Sequence, residues 1–167
     1  MGKSGDLRKQ ILGHLQKKRA YLEEVHSVDD CNVILVFCPI VSRAGTDIDA
    51  ALNELNTCSA SKPAILMVFH HSFDCYKTVP DSSRSINRRN TLTVDCLFNE
   101  DEGLLACERN DEALAKIVQF YVPVSPQLLH IHAKSKLMVL IKFCIILEGC
   151  VFFQIEWTCL GGPCRQN

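Results

Sequence analysis

The side chains of this sequence best suited to chemistry fall after two apolar runs. Cys38, Ser42, Arg43, Thr46 and Asp49 follow the run 33–37, and His70 and His71 follow the run 64–69. An aspartate beside a helix start can attack an anomeric carbon, as carboxylates do in glycosidases. Two histidines can supply an acid and a base. A loop arginine can meet a phosphate through its fork of N–H donors. Cys38 needs a base to become a nucleophile, and the sequence places no histidine beside it. Each group also has a plainer duty. Thr46 and Asp49 have the spacing of a capping box, with Asp in the place usually held by Glu or Gln. The histidines read as hydrogen-bonded residues at a strand end, and Arg43 as an exposed loop residue. No complete catalytic constellation results. Asp49 is the catalytic candidate, and Cys38, Ser42, Arg43, Thr46, His70 and His71 are the ligand-binding candidates.

The elements that must position these groups follow from hydrophobic period. Val33 to Phe37 is continuous and apolar, the pattern of a strand covered on both faces, and Pro39 stops it. Thr46 is expected to cap the next helix. Ile48, Ala51, Leu55 and the neighbouring Leu52 then give that helix one apolar face. Residues 64–69 form a second buried run and residues 91–98 a third strand. Ala113, Leu114, Ile117, Val118 and Tyr121 supply the face of a later helix that opens on acids at its positive end. The expectation is an α/β domain over 6–121, a flavodoxin-like three-layer sandwich. Its strands 32–38, 64–69 and 91–98 should be parallel neighbours with right-handed crossovers. Ligands of such sheets bind beyond the carboxyl ends of the strands, where the candidate residues fall. The chain opens on a helix, read over 6–23, so either the sheet starts at Asn32 or a first strand is missing, and in the second case the sheet carries an unpaired edge.

Totals bound the function classes. A net charge of −1 over 167 residues gives no argument for a nucleic-acid partner. Ten cysteines and six histidines contain no Cys-x-x-Cys pair, so no metal site and no cofactor is expected. Charges interrupt the stretch from Leu7 to Leu15, which does not read as a secretory signal. Free thiols in a reducing, cytoplasmic setting are the expectation. Residues 70–90 form a long polar stretch, of the kind that is usually functional or disordered. Residues 77–90 carry four basic groups against one acid, and residues 95–112 seven acids against one arginine. These neighbouring segments are expected to pair with each other.

Composition shifts after residue 121. Charged residues number 31 in the first 120 and 6 in the last 47. The segment 137–153 is 17 residues long and almost wholly apolar, interrupted by Lys142 and Glu148. A central charge costs a membrane helix about 2.5–3.5 kcal/mol, and the stretch is at the short limit for a span. Strands turning at Glu148-Gly149 are the alternative to a membrane contact through 137–153. The segment 122–167 is read as an atypical apolar tail, an add-on to the domain rather than a replacement strand.

Three motifs, at 37–48 (Phe-Cys-Pro-Ile-Val-Ser-Arg-Ala-Gly-Thr-Asp-Ile), 79–84 (Val-Pro-Asp-Ser-Ser-Arg) and 92–98 (Leu-Thr-Val-Asp-Cys-Leu-Phe), carry a resemblance over about residues 25–120. The chain there resembles an uncharacterised family of small α/β proteins predicted from bony-fish genomes, which implies a fold and no activity. Gly45-Thr46-Asp47-Ile48-Asp49 followed by Lys62-Pro63 is similar to the order of motifs in nucleoside 2-deoxyribosyltransferases, with Asp49 in the place of their glutamate. TIR domains share the same flavodoxin-like sheet. The sequence thus points first to a non-catalytic cytosolic binding or signalling module with a protein partner or a small nucleotide-like ligand. The alternative is a nucleoside or nucleotide N-glycosidase, or deoxyribosyltransferase-like enzyme, using Asp49.

Overall fold

A strand whose successive side chains point to opposite faces buries both sets only if each face is covered. The central strands of this protein meet that condition. The computed structural model describes residues 4–18, 22–120 and 141–147, with residues 4–6 and 141–147 described as backbone. The elements in chain order are α1 (Ser4–Lys18), β1 (Leu22–Glu24), β2 (Val33–Pro39), α2 (Ala44–Cys58), β3 (Ala64–His71), a 3-10 turn (Ser82–Ser85), β4 (Thr91–Asn99), β5 (Gly103–Leu104), α3 (Glu108–Phe120) and β6 (Ile141–Leu147). They build a mixed α/β fold around one sheet of order β1-β6-β2-β3-β4-β5. The pairings are parallel except β4 with β5. β2, β3 and β4 are parallel neighbours, as their apolar runs predict.

Alternation sorts the core into two clusters. Val33, Leu35 and Phe37 of β2 join Ile65, Met67 and Phe69 of β3 and Val94, Cys96 and Phe98 of β4. Ile11 and Leu15 of α1 and Ala113, Leu114 and Ile117 of α3 cover them. Phe69 meets Phe37 and Phe98 edge to face, at ring separations of 5.5 and 5.9 Å, which aligns ring edges with ring faces. Ile34, Val36 and Cys38, with Ala64, Leu66 and Val68, pack instead against Ile48, Ala51 and Leu55 of α2.

Two expectations change at the ends of the chain. The first helix stops at Lys18, and Leu22 and Glu23 belong to a strand. Leu22 still joins the cluster of Ile11 and Leu15, but from the sheet. An Arg8–Glu24 ion pair ties the helix to that strand. The strand has a partner only because β6 lies beside it, with Leu22 opposite Ile141. β6 also pairs with β2, Val33 opposite Phe143 through Phe37 opposite Leu147. The apolar segment at 137–153 therefore supplies an inner strand at 141–147, where an add-on was expected. Backbone N–H and C=O groups on both sides of β6 find partners there, which a solvated add-on would not provide. Residues 137–140 and 148–153, with the expected turn at Glu148-Gly149, lie outside the described residues, as does Tyr121. No helix among the described residues is long and apolar enough to cross a membrane.

β5 is held from across the sheet. The Gln10 side chain donates to the Glu102 carbonyl at 3.0 Å and accepts from the Leu104 N–H at 3.0 Å. Gly103 between them has φ +80, and a Cβ there would stand 2.4 Å from Gln10 Oε1. The backbone conformation favours glycine, and a Cβ would push the Gln10 amide aside. Gly103→Ala should cost about 1–3 kcal/mol, read as a lower midpoint in urea denaturation. An unchanged midpoint would show that the Gln10 clamp yields freely.

Candidate functional site

The loop after β2 is shaped by an aspartate two residues before the one singled out in the sequence. The Asp47 carboxylate accepts from the Val41 and Ser42 N–H groups at 2.8 and 2.9 Å and from the Ser42 hydroxyl at 2.7 Å. Burial alone would raise its pKa, but the Ser42 hydroxyl and the two N–H donors outweigh it and hold the carboxyl below the usual range. α2 begins at Ala44, with Arg43 at the N-cap position and no side-chain cap. The expected Thr46–Asp49 capping box is therefore not formed. The helix starts two residues before Thr46, and Asp47 reaches back to satisfy the loop. Thr46 and Asp49 are exposed on α2, and Arg43 is exposed in the loop before it. Cys38 is fully buried among the α2-side cluster.

The two histidines separate because consecutive strand residues face opposite ways. His71 is exposed, its ring edge-on to Phe73 and Phe98 at 5.1 and 5.8 Å. His70 is buried and its Nε2 lies 2.8 Å from Asp95 Oδ1. Ser82 adds its hydroxyl to the same oxygen at 2.6 Å and its N–H to Asp95 Oδ2 at 3.0 Å. Burial would raise the Asp95 pKa, but His70 and Ser82 overcome it and hold the carboxyl low. An ionised carboxylate only accepts, so His70 Nε2 carries the proton in this contact. Asp95 is the hub. Ser82 donates to the acid and not to the histidine, so no nucleophile–base pair forms, unlike a serine hydrolase triad. Asp95 and Ser82 were not singled out from sequence. The signal for Asp95 is that it is the one charged residue of β4, set between Val94 and Cys96.

Basic groups of this region serve the backbone. Lys62 Nζ donates to the carbonyls of Val28, Asp29 and Cys31 at 2.5, 2.8 and 2.8 Å. Arg88 Nη2 donates to Ser59 and Lys62 carbonyls at 2.8 and 2.7 Å, and Nη1 to the Thr91 hydroxyl at 2.9 Å. Lys77 donates to the His71 carbonyl, and Arg84 pairs with Asp81 of its own loop. Among the described residues none of the expected ion pairs joins 77–90 to 95–112, and the two segments meet through Ser82 and Asp95 instead. Carbonyls in turns have no ladder partner, and a cation satisfies several at once.

Two open clefts flank α3. One, of about 580 Å³, lies between the 75–77 turn and the start of α3, lined by Cys75, Tyr76, Lys77, Cys107 and Arg109. The other, of about 290 Å³, runs along β4 at Thr93–Asp95. Arg109 and Glu112 border both. The candidates Cys38, Ser42, Arg43, Thr46, Asp49, His70 and His71 line neither. Cys96 of β4 is buried in the α3-side cluster, its thiol pushed up to about 12 by burial and by Asp95 and Cys107. The six described cysteines, Cys31, Cys38, Cys58, Cys75, Cys96 and Cys107, form no disulfide with one another. Among the described residues no group of three His, Cys, Asp or Glu side chains is placed to hold a metal ion.

Beyond β3 the chain forms a self-bonded turn. The Ser72 N–H donates to the Phe98 carbonyl, the Ser72 hydroxyl bonds both the N–H and the carbonyl of Asp74, and the Tyr76 N–H donates to the Asp74 carboxylate. The turn displays Phe73 and Tyr76, 74% and 90% exposed. Compared with family models, curated proteins and solved structures, the chain finds no match.

Proposed function

We propose that this chain is a non-catalytic, cytoplasmic binding or signalling module that contacts a protein partner through the turn 72–77. The observation that carries the reading is the display of Phe73 and Tyr76 on a turn fixed by its own hydrogen bonds. Rigid exposed aromatics lose little conformational entropy on binding and are the usual anchors of interfaces. The chemistry-bearing groups supply the second support. Ser42 is spent on Asp47, and His70 and Ser82 on Asp95. The reading includes a flavodoxin-like three-layer arrangement, supported by helices contributing to the apolar clusters on the two faces of the sheet.

Affinity capture from a cytosolic extract tests it, using wild type and the double variant Phe73→Ser, Tyr76→Ser. Deleting all of 70–90 would remove Ser82 and Arg88 and confound binding with folding. Proteins retained by wild type and lost by the variant are expected. Identical recoveries would remove the turn as the contact. The alternative, an N-glycosidase using Asp49, predicts base release from a panel of nucleosides, nucleotides and NAD. No release is expected, because Asp49 is exposed on α2 and borders neither cleft. Release abolished by Asp49→Ala in a folded protein would replace the binding reading.

A further inference from the structure

The outer edge of β4 carries backbone groups whose direction can be fixed residue by residue. The Ala64 N–H donates to the Asn90 carbonyl, and the Ser72 N–H to the Phe98 carbonyl, so even-numbered residues of β4 turn their backbone groups towards β3. Odd-numbered residues turn theirs outward. Leu97 confirms the parity, because its N–H donates to Asn110 Oδ1 and its carbonyl accepts from Asn110 Nδ2, both at 2.8 Å. β5 pairs with Phe98 and Asn99, and the Leu105 N–H after it donates to the Leu97 carbonyl at 3.1 Å. The outward N–H and C=O groups of Thr91, Thr93 and Asp95 have no strand partner among the described residues.

This edge is also a groove. Its 290 Å³ cleft has Thr93, Val94 and Asp95 as its floor. Arg109, Glu112 and Lys116 of α3 form one wall, and Asp81 and Ser83 border the other side. The Thr93 hydroxyl is buried there with no hydrogen-bond partner. Asp81 is occupied by Ser83 and Arg84. Arg109 and Lys116 make no ion pair among the described residues and outnumber Glu112 on the α3 wall, while Asp81 and Asp95 put two carboxylates on the opposite side, so only side chains that face α3 meet positive charge.

We propose that the β4 edge is a strand-addition site for an extended peptide segment of another protein, with acidic side chains at alternate positions facing Arg109 and Lys116. Main-chain bonds to Thr93 and Asp95 would hold the segment, and alternate side chains would read the α3 wall. Asn110 ends the site by occupying the edge at Leu97. The inference rests on the binding-module reading and names a partner class for a surface next to the turn 72–77, since Arg109 borders both clefts.

The test uses the full 167-residue chain and two fluorescein-labelled hexapeptides alternating Val with Glu or Val with Lys. Binding is read by anisotropy, and the edge by hydrogen exchange at the Thr93 and Asp95 amides. The Glu peptide is expected to bind and to slow exchange at both amides. Lys116→Glu should weaken it about fivefold, the effect of reversing one exposed ion pair. Thr93→Pro should abolish binding while preserving the circular dichroism spectrum, because the lost N–H points away from β3. If Thr93→Pro does not fold, amide protection and Lys116→Glu decide the matter. Equal or tighter binding of the Lys peptide, or binding without protection at Thr93 and Asp95, would overturn the proposal. So would protection that rises with protein concentration without peptide, which would make a second copy the occupant. Absence of peptide binding, with capture still dependent on Phe73 and Tyr76, would overturn this site and leave the binding-module reading standing.

Discussion

Truncation after Phe120 is expected to abolish the cooperative unfolding transition of the chain. β6 lies between β1 and β2, so its loss strands β1 and strips ladder partners from Val33 to Phe37. β2, like β3, contributes to both core clusters, and its side chains from Val33 to Cys38 are buried. Exposing one flank of it opens apolar surface worth about 25 cal/mol per Å² and leaves buried backbone groups unpaired. Native stability is only about 5–15 kcal/mol, so the sum of these losses reaches the whole of it. Ile146→Pro tests the same point without shortening the chain, because Leu35 opposite Ile145 in a parallel pair turns the Ile146 N–H towards the Leu35 carbonyl. Proline in an inner strand removes a ladder N–H and has no tolerated place there. Thermal melts followed by circular dichroism should show a broad, non-cooperative signal for both variants. A truncated chain that melts cooperatively as a monomer, within a few degrees of wild type, would return β6 to the status of an add-on.

Asp95→Asn should be the most damaging single side-chain change at the candidate site. The carboxylate takes three hydrogen bonds, from His70, the Ser82 hydroxyl and the Ser82 N–H. Its side chain is 10% exposed and that of His70 9%. Hydrogen bonds to a buried charged group are each worth about 1.5–3 kcal/mol, and an amide keeps part of them. A loss of about 3 kcal/mol is expected in urea denaturation at neutral pH. The pH dependence follows from the lowered pKa. A carboxyl held below its unfolded value of about 3.9 contributes stability that is complete above that value. The contribution is lost as pH falls through the folded-state value. The gap between wild type and Asp95→Asn should therefore be level from neutral pH down to about pH 5 and narrow in stronger acid. A gap that stayed constant into strong acid would mean that Asp95 acts by shape and not by charge.

Sequence by itself determined the middle of this fold. Continuous apolar runs at 33–37 and 64–69, too short for a helix and bounded by Pro39 and by Lys62-Pro63, fit strands covered on both faces, and the helical period from Ile48 to Leu55 fixes which side of α2 is buried. These are local patterns, and β2, α2, β3 and β4 follow them in order. Tertiary structure decided what depends on distant pairing. An apolar run at 141–147 satisfies a strand as well as a buried helix, and only the open flank of β2 together with Leu22–Glu24 makes it an inner strand. The histidines are adjacent in sequence, yet strand alternation sends His70 to Asp95 and His71 to Phe73. Asp47, not Asp49, ties the loop after β2, because a helix that starts at Ala44 carries position 47, and not position 49, back to the amides of Val41 and Ser42. Gly103 takes a left-handed backbone beside Gln10, which the chain brings to it from its other end. Period and composition fix how much of each segment must be buried. Which partner buries it, and which side chains then meet, is set by the register of strands far apart in the chain.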